Sequence, residues 1–152
     1  MLVLVVDDAP DLRTMVATAL RMSGIDSAQA EGGPQALALL QGGLAPDAIL
    51  LDVQMPEMDG WETLETIRRE PWSAGYAVIM CSVKARDHDL EHGWRLGCDG
   101  YIPKPFDIAS MVGDVRRVAA MSGEERTAAR AAALATLEAR RRVSSGAWQR
   151  RS

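Results

Sequence analysis

Five side chains stand where short apolar runs stop. Leu2–Val6 runs into Asp7 and Asp8, residues 48–51 into Asp52, residues 76–81 into Ser82, and Gly100–Pro103 into Lys104. If those runs lie side by side and parallel, three carboxylates, a hydroxyl and an amine meet on one rim. Carboxylates brought that close repel, and each raises the pKa of the others. A hard divalent cation relieves the repulsion, and an all-oxygen ligand set suits Mg²⁺, which takes only one or two carboxylates and keeps several waters. That leaves room for a phosphate oxygen. A hydroxyl donor and a point charge suit the equatorial oxygens of a phosphoryl group, where charge gathers during transfer. One carboxylate is then placed to act as nucleophile and form an acyl phosphate.

The elements that must position these groups can be read from the same runs. Short stretches rich in branched aliphatics and bounded by turn residues read as strands buried on both faces. The carboxyl ends of such strands border the crevice where open α/β sheets bind ligands. After Asp52 the chain turns at Met55-Pro56, and Asp59-Gly60 gives a second turn signal. Between the strands lie helical patterns. The first opens near Pro10 and Asp11, carries an apolar stripe through Leu12, Met15, Val16, Ala19, Leu20 and Met22, and is capped near Gly24. A weak strand covers 25–30. Further helices are expected over 35–41, 61–69, Asp87–Leu96 and 107–120. Strands alternating with helices of about ten residues indicate βαβ units and a parallel sheet covered on both sides. Ser122 and Glu125 have capping-box spacing and open a sixth helix from about 123 to 142. Residues 144–152 read as a flexible end.

Composition narrows the class. The chain has 152 residues, 47% hydrophobic and 25% charged, with aromatics at only 5%, so the core must be aliphatic. No apolar run reaches the roughly 20 residues that span a bilayer, and no secretory leader is visible before Leu2. Cys81 and Cys98 read as small buried apolar residues in a reducing cytoplasm. Residues 1–120 carry a balance of −8, whereas residues 121–152 carry +4. An acidic body is a poor non-specific ligand for nucleic acid, so nucleic acid is not expected as a partner.

Together, Asp7-Asp8, Asp52 with Met55-Pro56 and Asp59-Gly60, Ser82, and Tyr101-Ile-Pro-Lys104-Pro105-Phe106 resemble the receiver domain of bacterial two-component response regulators. The resemblance covers residues 1–120, leaving 121–152 as an alanine- and arginine-rich helical extension with a flexible tail. It implies a flavodoxin-like (βα)5 three-layer sandwich with a five-stranded parallel sheet of order 2-1-3-4-5, plus an extra C-terminal helix. It further implies a phosphoprotein in a histidine-to-aspartate phosphorelay. Asp52 accepts the phosphoryl group from a sensor histidine kinase or phosphotransfer protein. Asp8, Asp52 and the backbone carbonyl of Gln54 hold Mg²⁺, with Asp7 acting through water. Lys104 and Ser82 contact the phosphoryl group, and Lys104-Pro105 is a candidate cis peptide. Ser82 and Tyr101 form the switch, and the face of the fourth helix, fifth strand and fifth helix is the usual partner surface. Val83, where the family commonly has a small residue, is a departure beside the pocket.

On this reading the protein is not an enzyme beyond its own phosphorylation and dephosphorylation at Asp52. Output passes to an unknown downstream protein by contact, or through a homodimer. A haloacid-dehalogenase-like phosphatase is the enzymatic rival, but it needs a second acid two residues after the nucleophile, where Gln54 stands. A phosphorylation-independent adaptor working through the C-terminal helix is the other alternative. That helix, packed on the fifth, could also carry a dimer. His88 and His92 share a helical face, but their acidic neighbours mark solvated surface rather than a metal site. Trp61, Trp72 and Trp94 read as packing or partner residues.

Overall fold

The computed structural model describes the backbone of residues 1–151 and the side chains of residues 1–146. Five strands and six helices alternate. They are β1 (Leu2–Val6), α1 (Pro10–Met22), β2 (Asp26–Ala30), α2 (Gly33–Gln41), β3 (Ala48–Asp52), α3 (Gly60–Arg69), β4 (Val78–Ser82), α4 (Asp87–Leu96), β5 (Gly100–Pro103), α5 (Ile108–Ala120) and α6 (Gly123–Arg151). All strand pairings are parallel and the order is β2-β1-β3-β4-β5. The expected flavodoxin-like sandwich is what the chain forms.

Alternate strand residues feed two cores. Val3, Val5, Leu50 and Ile79 face α1 and α5, where Leu20, Met111 and Val115 complete one layer. Leu4, Val6, Ile49, Leu51 and Met80 face the other way, against Leu40, Leu64 and Ile67 of α2 and α3. Every residue of β3 and β4 is buried, as central strands covered on both faces require. β2 and β5 are the edges, and the pattern of β2 is the weakest.

Helix ends follow local chemistry. Asp59 caps α3, accepting from the Glu62 amide at 2.9 Å, so this residue starts a helix rather than making a second turn. Asp107 caps α5 through the Ser110 amide. Ser122 and Glu125 form a reciprocal capping box at 3.1 Å in both directions.

Two expectations for the C-terminal segment need correction. The helix does not end near Arg142 but continues through Arg151, leaving only Ser152 outside the described residues. It also lies along α4 rather than α5. Its covered stripe is Arg126, Ala129, Arg130, Ala133, Leu134 and Leu137, at helical spacing. The alanines allow close approach, and the arginines reach Asp99, just before β5. The Asp99 carboxylate is completely buried and meets Arg68 of α3 at 2.7 Å and Arg126 at 3.4 Å. Arg130 Nε stands 3.5 Å from its other oxygen, an ionic approach without hydrogen-bond geometry. The excess positive charge is taken up by carbonyls. Gly97 at the end of α4 accepts from Arg68 and Arg130, and Gly75 accepts from Arg126. The negative end of the α4 dipole favours cations there.

Candidate functional site

The C-terminal edge of the sheet carries the site. Asp7 follows β1, Asp52 ends β3 and Ser82 ends β4, and all three are buried, whereas Asp8 is exposed. One carboxylate oxygen from each of Asp7, Asp8 and Asp52 lies within 4.8 Å of the others. Among the described residues this is the one group of acidic, histidine or cysteine side chains so placed. Lys104, following β5, sets its ammonium 3.1 Å from Asp7 and 3.3 Å from Asp52. The four expected charged groups are thus brought together from three strand ends and one loop.

Electrostatics follow from three acids sharing one cation. Burial pushes the Asp52 carboxyl above its usual range; Lys104 opposes this and Asp7 adds to it. Burial alone would lower the Lys104 ammonium, but the carboxylates of Asp52 and Asp7 outweigh it and the net shift is upward. Positive charge remains insufficient, which fits a site built to take a further cation.

Backbone geometry holds these groups in place. The Asp7 carboxylate accepts from the Ala9 amide at 2.9 Å, and Arg13 donates to the Asp7 carbonyl at 2.7 Å. At the start of α3, the Gly60 amide donates to the Val53 carbonyl at 2.8 Å. A Cβ at Gly60 would come 2.7 Å from Val53 Cα and strike the Asp52 carbonyl, so glycine is needed for α3 to cross the end of β3. The Lys104-Pro105 peptide is cis. Gln54 lies at the mouth, in a cleft of about 290 Å³ that Asp8, Asp59, Trp61 and Lys84 also line.

Ser82 and Tyr101 meet the same turn from two sides. Ser82 Oγ accepts from the Lys84 amide at 3.0 Å, and the Tyr101 hydroxyl donates to the Lys84 carbonyl. The Tyr101 ring lies 6.3 Å from Trp61, centre to centre. Both rings press on α4 at Gly93, where a Cβ would stand 3.2–3.3 Å from them. Burial pushes the Tyr101 phenol up to about 12. Val83 points outward and is 61% exposed, so it does not fill the pocket.

His88 and His92 do not converge on a metal site. His88 is exposed beside Asp89, and His92 packs edge-on to Trp61 at 4.7 Å. Trp72 and Trp94 pack against the core.

Residues 3–116 match the response regulator receiver domain family. The chain belongs to that family. Among curated relatives, the receiver is 36% identical over 116 residues to the DNA-binding dual master transcriptional regulator RpaA of Synechocystis, which covers 75% of this chain and 47% of the relative. It is 33% identical over 121 residues to the phosphate regulon transcriptional regulatory protein PhoB of Pseudomonas aeruginosa, covering 80% and 52%. This chain therefore spans about half the length of the curated relatives it matches. The chemotaxis response regulator CheY4 of Vibrio cholerae superposes with a TM-score of 0.72 at 30% identity, covering 77% of this chain and 97% of that one. A response regulator from Chloroflexus aurantiacus gives 0.74 at 28% identity. The family match ends at residue 116, before α6 begins, and the Asp99 cluster joining α6 to the body was not foreseen. Its one sequence signal is a pair of arginines four apart, Arg126 and Arg130, on an otherwise alanine-rich helix.

Proposed function

We propose that this receiver is a phospho-acceptor switch in a histidine-to-aspartate phosphorelay, with Asp52 as the acceptor. The observation carrying this is the Lys104 ammonium bridging Asp7 and Asp52, with the Asp8 carboxylate alongside. An Asp52 oxygen attacks the phosphorus of a phosphohistidine on a sensor kinase or phosphotransfer protein. A P–O bond forms as the P–N bond breaks, and the imidazole leaves. Lys104 and the Ser82 hydroxyl take the charge on the equatorial oxygens. Asp8, Asp52 and the Gln54 carbonyl would hold Mg²⁺, with Asp7 acting through water, and the ion would neutralise charge shared by carboxylate and phosphoryl oxygens. Hydrolysis of the acyl phosphate at Asp52 resets the switch, and no other substrate is turned over.

Output passes by contact with a downstream protein or through a second copy of the chain. Two relatives, RpaA and the MtrA of Mycolicibacterium smegmatis, are named as DNA-binding regulators, and that property is theirs. Here the body's acidic balance argues for a protein partner. Tyr101 and Ser82 form the switch, because both bond to the backbone of Lys84. Two buried free cysteines suit a reducing cytoplasm, and among the described residues no helix is long and apolar enough to cross a membrane. The test is labelling by a phosphohistidine donor with Mg²⁺. Wild type is expected to take up phosphate and Asp52→Asn to lose it; equal labelling of both would overturn the assignment. The adaptor reading rests on the docking of α6, and it would gain if partner binding followed α6 and ignored phosphorylation.

A further inference from the structure

The sixth helix is held to the body in two unlike ways. Its first turns are anchored through Arg126 and Arg130 at a buried carboxylate, Asp99, and at the Gly75 and Gly97 carbonyls. Beyond Leu134 the character changes. Among the described residues Leu137 is the last buried side chain, and Val143 is 71% exposed. What remains is a row of exposed ion pairs to α4. Glu138 lies 4.0 Å from Arg95, Arg141 lies 3.0 Å from Glu91, and Arg140 lies 3.4 Å from Asp87. Such pairs are weak and screened by salt. Two of these pairs set an arginine of α6 on an acid of α4, the Glu138–Arg95 pair has the reverse polarity, and the two helices run antiparallel.

Asp87 is the first residue of α4, and the loop before it, which leaves β4 at Ser82, carries Lys84. A contact chain therefore runs from the candidate site to the distal part of α6. Ser82 Oγ bonds the Lys84 amide, the Lys84 carbonyl takes the Tyr101 hydroxyl, and Tyr101 packs on α4 at Gly93, between Glu91 and Arg95. If Ser82 turns its hydroxyl toward a phosphoryl group on Asp52, it gives up the Lys84 amide. The turn and the α4 acids that follow it then lose their present register with Arg140 and Arg141.

We propose that residues 134–143 of α6 are a detachable arm covering the acidic face of α4, released when the site around Asp52 is phosphorylated, while residues 123–130 stay anchored at Asp99. The inference rests on the phospho-acceptor reading. Its occupant is fixed by charge complementarity: the arm's arginines match Asp87 and Glu91 of this same chain. Release presents two surfaces at once, the acidic face of α4 and a basic helix bearing Leu134 and Leu137. By linkage, a docked arm and a bound phosphoryl group weaken each other equally.

Hydrogen–deuterium exchange on the full chain tests this, with Mg²⁺ alone and with Mg²⁺ plus beryllofluoride, a phosphoryl mimic. Amides of 134–146 are expected to exchange at least tenfold faster with the mimic, and those of 123–130 to be unchanged. The paired variant Asp87→Asn/Glu91→Gln, outside the candidate site, is expected to free the arm without the mimic. Unchanged protection of 134–146 while the ¹⁹F spectrum shows bound beryllofluoride would overturn the arm and leave the phospho-acceptor reading standing. Equal deprotection across 123–146 would overturn the two-part anchoring. No bound ¹⁹F signal would overturn the phospho-acceptor reading, and the arm's trigger with it.

Discussion

Asp52 is a buried carboxylate between a like charge, Asp7, and an opposite one, Lys104. Its carboxyl titrates above the ordinary value of 3.8 because burial disfavours its charge, with Asp7 adding and Lys104 opposing. Between the ordinary and folded values the native protein holds a proton that the unfolded chain has released. Stability therefore falls as pH rises through that window. Asp52→Asn, which removes the charge and keeps the shape, is expected to raise Tm at pH 7 in the absence of divalent ions. The gain should shrink toward zero as pH falls below about 4, where the wild-type carboxyl is itself protonated. Mg²⁺ at about a hundred times its Kd should stabilise wild type by about 2.7 kcal/mol and the variant by less. Scanning calorimetry across pH, with and without Mg²⁺, checks both signs.

At the scale of elements, the buried Asp99 joins four parts of the chain. It accepts from the Val78 amide at the start of β4 at 2.9 Å, and it pairs with Arg68 of α3 and with Arg126 and Arg130 of α6. Asp99→Ala would leave three guanidinium groups without their shared carboxylate and the Val78 amide without this partner. Breaking a buried charge cluster from one side costs about 3–5 kcal/mol. Urea unfolding should show that loss with little change in slope. By contrast, the exposed pairs between α6 and α4 contribute about 0–1 kcal/mol each. Neutralising Arg140 should scarcely move the midpoint. This contrast separates the anchored and distal parts of one continuous helix.

For the whole molecule, α6 belongs to the folded unit. Truncation after Ala120 leaves Asp99 with Arg68 as its remaining guanidinium partner and bares the face of α4 that Leu134 and Leu137 cover. Tm is expected to drop by several degrees, while Asp52 can still be labelled by a phosphohistidine donor, because no site residue lies beyond Lys104. A truncated chain melting at the wild-type temperature would show that α6 is a passive appendage. The net charge would also move from −4 to −8, so association with acidic partners should weaken.

The sheet order followed from the family resemblance, whereas the buried strands and the gathering of Asp7, Asp8, Asp52 and Lys104 at one sheet edge, with Ser82 ending the neighbouring strand, were legible in the residues themselves. Each signal there is local: an apolar run of five residues, a turn residue behind it, and a polar group at the junction. Parallel pairing then places every junction on one edge. The distant contacts were not legible. Asp99 looks like an ordinary loop acid, and Arg126 and Arg130 look like a solvated helix face, because burial of a charge is decided by what packs over it. For the same reason the sequence left packing on α5 open and ended the sixth helix too early, whereas α4 offered the matching acids. The sequence alone determined the chemistry at the sheet edge, since the strands themselves carry those groups there. Only the tertiary structure decided which helix α6 covers, because that depends on complementary surfaces far apart in the chain.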